Sequence, residues 1–490
     1  MRDEVSPWKI YRRLLHFVAP YRLVLVVALV GMLIEAAAAG AFAKLMKPMV
    51  DLTFVSRNPN VGLMLPLAII GIFVARGVAG YLTDTFMARA GRSIARDLRV
   101  QTLGKYLRLP GLRFDTEPVS SMLTRLGSDS DQVAQAAIDA AKVMLQQALQ
   151  VLVMLGVMLY TSWRVTLAVL LLGPMLAWTM DKVGRRYRRI GHRIQESGAQ
   201  LLQSADQALS NHQEVKVYGA QATELSRYTG QANHHLRLSL KVESTRSISS
   251  AMVQLMGAIG LALLLFFAGR EAMQGRLTAG DFVSLMVAML AVIPALKQLT
   301  NVQGMLQRGV ASAERLFDVI DTPDEIDTGT RPLDRARGLL EFRHVTARYP
   351  GQAEPALSDI TFEAKPGTVT AIVGRSGSGK STLIKLIPRF YDIESGEILL
   401  DGHPLQDYRL ADLRRQVALV GQQVMLFDGT VAANVAFGEM QAADPEALER
   451  AVRGANAMEF VERLPEGLQT HIGAKGGRLS GGHRQRLADA

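Results

Sequence analysis

Gly374-Arg375-Ser376-Gly377-Ser378-Gly379-Lys380-Ser381 follows the apolar run Thr368-Val369-Thr370-Ala371-Ile372-Val373 and leads into Ser381-Thr382-Leu383-Ile384-Lys385-Leu386-Ile387, which has a helical pattern. A buried strand, a glycine-rich loop and a helix in that order make a phosphate-binding loop. The glycines let the backbone curl so that several N–H groups face inward. Those donors, with the helix N-terminus, hold phosphate oxygens. Lys380 adds positive charge at the outer phosphates, and the Ser381 hydroxyl is placed to bind Mg²⁺. The stretch from Gly374 to Thr382 therefore predicts a soluble α/β domain that takes a nucleoside triphosphate.

The surroundings of the loop fit such a domain. Short apolar strands are expected at 340–346, 358–363, 368–373 and 397–400, with turn dipeptides Pro366-Gly367 and Asp401-Gly402 between them. Strands alternating with helices imply α/β architecture. Tyr349 lies just after the first strand, where an aromatic ring can stack on adenine or simply pack. Gln422 follows the apolar strand 417–420, and a glutamine at a strand end can reach Mg²⁺ or an attacking water. Leu479-Ser480-Gly481-Gly482-His483 reads as a helix start with Ser480 as N-cap. Its small residues expose N–H donors at the positive end of a helix dipole, a second phosphate site with no lysine of its own.

The chain ahead of this domain is of a different kind. Of its 490 residues 49% are hydrophobic, and the excess lies before residue 310. A bilayer crossing takes about 20 apolar residues, and six runs qualify: 22–46, 62–86, 140–162, 165–184, 250–270 and 279–300. The net charge of +10 is concentrated beside them. Arg89, Arg92, Arg96, Arg99, Lys105, Arg108 and Arg113 follow one span, and Lys182, Arg185, Arg186, Arg188, Arg189 and Arg193 follow another. The loops on the other side carry few cations. This is the positive-inside pattern of a membrane protein, not a nucleic-acid surface. Trp8, Tyr11 and Phe17 among cations suggest an interfacial helix leading into a retained first span, not a cleaved signal. With no cysteine, disulfides and thiolate metal sites are excluded. Helical patterning continues past the membrane at 89–108 and 185–227, with bends near 110–121 and 211–219 that present short helices or plain loops. The expected organisation is a transmembrane domain over 1–320, a polar linker over 321–337 and a nucleotide-binding domain over 338–490.

Tyr349, the loop 374–382, Gln422 and the segment 479–482 together resemble the ATP-binding cassette family, and six spans ahead of them resemble its exporter class. Within that class the likeness is to bacterial exporters of lipid A. It is carried by Leu296-Lys297-Gln298-Leu299-Thr300-Asn301-Val302, Gln307-Arg308-Gly309, Arg389-Phe390-Tyr391-Asp392-Ile393 and Phe427-Asp428-Gly429-Thr430-Val431. The resemblance implies a homodimeric half-transporter in the bacterial inner membrane, with its nucleotide-binding domain in the cytoplasm. It would flip lipid A or lipopolysaccharide core between leaflets at the expense of ATP. Each ATP–Mg²⁺ would lie between the loop of one copy and Ser480, Gly481, Gly482 and His483 of the other. Tyr349 would stack on adenine, Ser381 and Gln422 would meet the metal, and the bends would be coupling helices. Arg76 and Lys297, cations inside spans, would meet substrate phosphates; a third cation expected on the third span corresponds to Gln146. The alternatives are a multidrug or other lipid exporter, and a non-catalytic nucleotide-binding chain that pairs with intact subunits.

The sequence departs from the family at several points. His483 stands where glutamine is usual, Ala474 where an acid commonly precedes the signature, and Asp489 where an apolar residue is usual. No second metal-site aspartate, water-activating glutamate or switch histidine follows the signature, so no catalytic residue is assigned. The expectations are a shortened exporter with slow or no ATP turnover, and a sheet with one apolar flank left open.

Overall fold

The computed structural model describes residues 12–14, 17–56, 63–171, 173–422, 424–438, 440 and 444–490. They form two compact units, one of residues up to Leu109 with Glu117–Asp324, the other of Pro110–Thr116 with Glu325–Ala490.

The first unit is helical: α1 (Arg22–Val50), α2 (Met64–Tyr106), α3 (Ser130–Thr161), α4 (Gly173–Ser210), α5 (Gln221–Met273) and α6 (Ala279–Ile320). Among the described residues five helical stretches are long and apolar enough to cross a membrane; they contain α1, α2, α3, α5 and α6. The expected span 165–184 corresponds to the helix Trp163–Leu170 and the start of α4, and residue 172 between them lies outside the described residues.

Lipid is as apolar as leucine, so these helices gain little by hiding their large side chains. They pack through small ones, which let backbones approach closely. In α1 the leucines and valines at 23, 26, 29, 30 and 33 are exposed, whereas Ala28, Ala36, Ala39 and Ala43 are buried. A Cβ at Gly31 would lie 2.3 Å from Oγ1 of Thr83, and one at Gly40 would lie 2.4 Å from a methyl of Val153. Gly309 of α6 meets α3 in the same way, with Ala136 Cβ only 1.9 Å from where its own would be.

Polar residues fasten the ends of this bundle. At one end Thr278 and Asp281 form a capping box that starts α6. Asp51 accepts from the Thr278 hydroxyl (2.6 Å) and the Gly280 N–H (2.9 Å), while Lys47 pairs with Asp281 at 2.8 Å. Towards the other end a wide turn at Arg125–Asp129 precedes α3. It delivers the Asp129 carboxylate, 1% exposed, to Arg315 of α6 as a two-pronged pair at 2.8 and 2.6 Å, with Ser312 donating at 3.1 Å.

The second unit holds a four-stranded sheet of order β2-β1-β3-β4, with β1 (Leu340–Ala347), β2 (Leu357–Ala364), β3 (Ser395–Leu400) and β4 (His403–Pro404). All three pairings are antiparallel. Phe342, Val345, Leu357, Leu386, Ile398, Leu405 and Leu413 make its core. Asp401 opens the turn after β3 and accepts N–H bonds from Arg337 (2.6 Å), Gly338 (3.0 Å) and Leu339 (3.0 Å). Asp401→Ala strips the acceptor from three donors. With bonds to charged groups at about 1.5–3 kcal/mol each, and exposure returning part of that to water, the expected loss is about 2 kcal/mol of this lobe's stability. Denaturant unfolding of the purified chain measures it.

Two strand expectations are corrected. Residues 368–373 form no ladder with any described residue, and Val369 and Val373 are 99% and 88% exposed. The run 417–420 behaves alike, with Leu419 and Val420 exposed. A strand that is apolar on both faces is stable only between paired neighbours, and β1 already uses both its edges, for β2 and β3.

Candidate nucleotide-binding site

The loop keeps its curled form although the run before it is unpaired. Gly377 and Gly379 have φ of 83° and 86°, the left-handed region that glycine enters without cost. A Cβ at Gly379 would also sit 2.5 Å from the Ala356 carbonyl oxygen. Helix α7 (Lys380–Leu386) begins there, anchored by Leu383 and Leu386 in the sheet's core. The Lys380 ammonium folds over the loop and donates to the carbonyls of Gly374 (2.9 Å) and Arg375 (2.7 Å) and to Ser378 Oγ (3.4 Å). These short bonds hold a positive charge at the loop while Ser381 stays exposed beside it.

Tyr349 is tied to this helix. Its hydroxyl lies 3.0 Å from the Thr382 hydroxyl, which is itself buried, and its ring meets Tyr391 edge-on at 5.1 Å. Gln422 is exposed in the unpaired stretch after residue 420, and Gln423 next to it lies outside the described residues.

The segment 479–483 belongs to a second apolar cluster, built on Leu426, Val431, Val452, Phe460, Ile472, Leu479 and Leu487. Ser480 caps α8 (Gly481–Asp489) by accepting from the His483 N–H at 3.2 Å. Gly481 and Gly482 are exposed, and a Cβ on either would meet nothing within 4 Å. Packing therefore does not demand glycine there; the bare donors face open space. His483 stacks on Phe460 at 4.2 Å, and the Arg486 guanidinium lies 5.3 Å from the same ring. A flat imidazole suits this place beside Phe460. Among the described residues no hydrogen bond or ion pair joins 479–483 to the loop 374–382.

In the membrane unit, Arg76 is exposed on α2. Lys297 of α6 reaches Ser250 Oγ at 3.4 Å and borders an apolar cavity of about 130 Å³ lined by Met158, Val169, Met256, Ile293 and Leu296 among others. Gln146 gives one of its two amide N–H bonds to Glu35 at 2.5 Å. Sequence reading missed this bond. The only signal was a carboxylate in one apolar run and a glutamine pair in another.

The chain matches the family model for the ABC transporter transmembrane region over residues 25–296 and that for the ABC transporter domain over residues 357–490. It is 70% identical over 486 residues to the ATP-dependent lipid A-core flippase of Xanthomonas euvesicatoria pv. vesicatoria, covering 99% of this chain and 82% of that protein. The flippases of the same name from Xanthomonas campestris pv. campestris and Xylella fastidiosa are 69% and 67% identical, with 99% of this chain and 83% and 82% of theirs covered.

Proposed function

This chain belongs to the ABC transporter family, and on that premise we propose that it is an ATP-driven flippase for lipid A-core. The observation that carries the reading is identity at 70% across 99% of the chain to a relative so named, with the phosphate-binding loop intact. The substrate carries phosphates, and Arg76 and Lys297 supply cations to meet them inside the membrane unit. The protein is then an inner-membrane one with its nucleotide lobe on the cytoplasmic side, as the cation-rich ends of α2 and α4 favour.

Two copies act together in this reading. The open donors of Gly481 and Gly482, unbonded to their own loop, would meet a phosphate held on the loop of a second copy. ATP would lie against Tyr349, with its phosphates on Gly374, Arg375, Ser376, Gly377, Ser378, Gly379, Lys380 and Thr382. Mg²⁺ suits the oxygen donors of Ser381 and Gln422. Loop and signature from opposite copies would close the sandwich, His483 being held in place by Phe460.

The test is binding of labelled lipid A-core to the chain in nanodiscs, a readout that needs no ATP turnover. Binding that is lost on joint charge reversal at Arg76 and Lys297 is expected. Binding of hydrophobic drugs but not of lipid A would move the assignment to a multidrug exporter.

A further inference from the structure

Glu35 sits in the middle of α1, half-buried, inside a stretch that reads as membrane-spanning. Its Oε2 accepts the Gln146 amide of α3 at 2.5 Å. Its Oε1 lies against Gly80 of α2, so close that a Cβ there would be 2.5 Å away. Gly80 is thus the notch that admits this carboxylate among three helices. No cation stands within ion-pair distance of Glu35 among the described residues, although Lys142 pairs with Asp84 nearby at 2.6 Å. Arg76 lies one turn before Gly80 on α2, and its charge and those of Lys142 and Asp84 all act on Glu35.

A lone carboxylate in this setting is expensive, and such residues mark where a charged ligand passes. One neutral amide, with the Arg76 and Lys142 charges beyond ion-pair distance, compensates a negative charge only in part in a low dielectric. The group also works against a purely anionic headgroup, since it would repel a phosphate held by Arg76. Both facts are met by a headgroup that brings its own cation.

We propose that Glu35 is a specificity-determining residue that receives an ammonium group of the substrate headgroup, beside a phosphate held by Arg76. The site then selects phosphorylated lipids bearing amine substituents over the same lipids without them. Gln146 orients the carboxylate, and Gly80 leaves room for it. This rests on the lipid A-core reading of the substrate.

The experiment compares equilibrium binding of two labelled lipids to the purified full chain in nanodiscs: lipid A, and lipid A carrying phosphoethanolamine on one phosphate. The wild-type chain is expected to bind the amine-bearing lipid about tenfold more tightly, the effect of one charge-assisted bond. Glu35→Gln, which preserves shape, should erase that preference and bind plain lipid A at least as tightly as before; Glu35→Asp should retain part of the preference. Equal binding of the two lipids by wild type, or a preference that survives Glu35→Gln, overturns the proposal. So does loss of both lipids in Glu35→Gln, which would make the residue structural. If wild type binds neither lipid, the lipid A reading itself falls, and this inference with it.

Discussion

Replacing Lys380 with alanine should lower the affinity of the chain for MgATP by about 10- to 100-fold. The ammonium already sits over the loop, bonded to the carbonyls of Gly374 and Arg375 and to the Ser378 hydroxyl. An incoming phosphate exchanges at least one of these for a charge-assisted bond worth about 1.5–3 kcal/mol, and each 1.4 kcal/mol is a factor of about ten in affinity. Lys380→Arg should not rescue it fully, because a flat guanidinium cannot occupy the place of a compact ammonium. Fluorescent-nucleotide titration gives the answer. Unchanged binding in Lys380→Ala would mean that 374–381 is not the phosphate site.

Arg315→Met should destabilise the membrane unit by about 3 kcal/mol. The substitution keeps the apolar stem but leaves the Asp129 carboxylate buried with the Ser312 hydroxyl as its side-chain donor. Breaking a buried pair from one side costs about 3–5 kcal/mol, because an uncompensated charge remains. The lower end applies here, since the Arg315 side chain is 49% exposed and already partly in water. The double variant Asp129→Asn with Arg315→Met removes the orphaned charge and should recover much of the loss. Thermal unfolding in detergent separates the two variants from each other and from wild type. If the single and double variants lose the same amount, the arginine contributes by packing and the pair does not matter.

The phosphate-binding loop was legible because its chemistry is local. Gly377 and Gly379 are glycines for reasons of φ and contact that lie within a few residues, and Ser480 caps the helix it was expected to cap. The apolar spans were legible for a similar reason, since lipid asks only for length and hydropathy. What escaped depends on partners far away in sequence. The run 368–373 has every local mark of a strand, but a strand also needs neighbours, and its own composition says nothing of whether they are present. Glu35 and Gln146 are 111 positions apart, and Asp129 and Arg315 are 186 apart. Charged and amide residues in apolar helices look like isolated exceptions until the helices are packed. The packing of His483 against Phe460, 23 positions away, could not be read from either residue alone.

Residues 110–116 belong to the same compact unit as the nucleotide lobe, although both flanking stretches belong to the helical one. Gly111 lies so close to Phe390 that a Cβ would be 3.3 Å from its carbonyl oxygen, and Asp115 faces Lys385. The polypeptide therefore crosses from one unit to the other more than once. A protease that severs the stretch 325–337 would not set the lobe adrift. The two fragments should co-migrate on a sizing column until Gly111→Trp or mild denaturant prises that short segment from its seat.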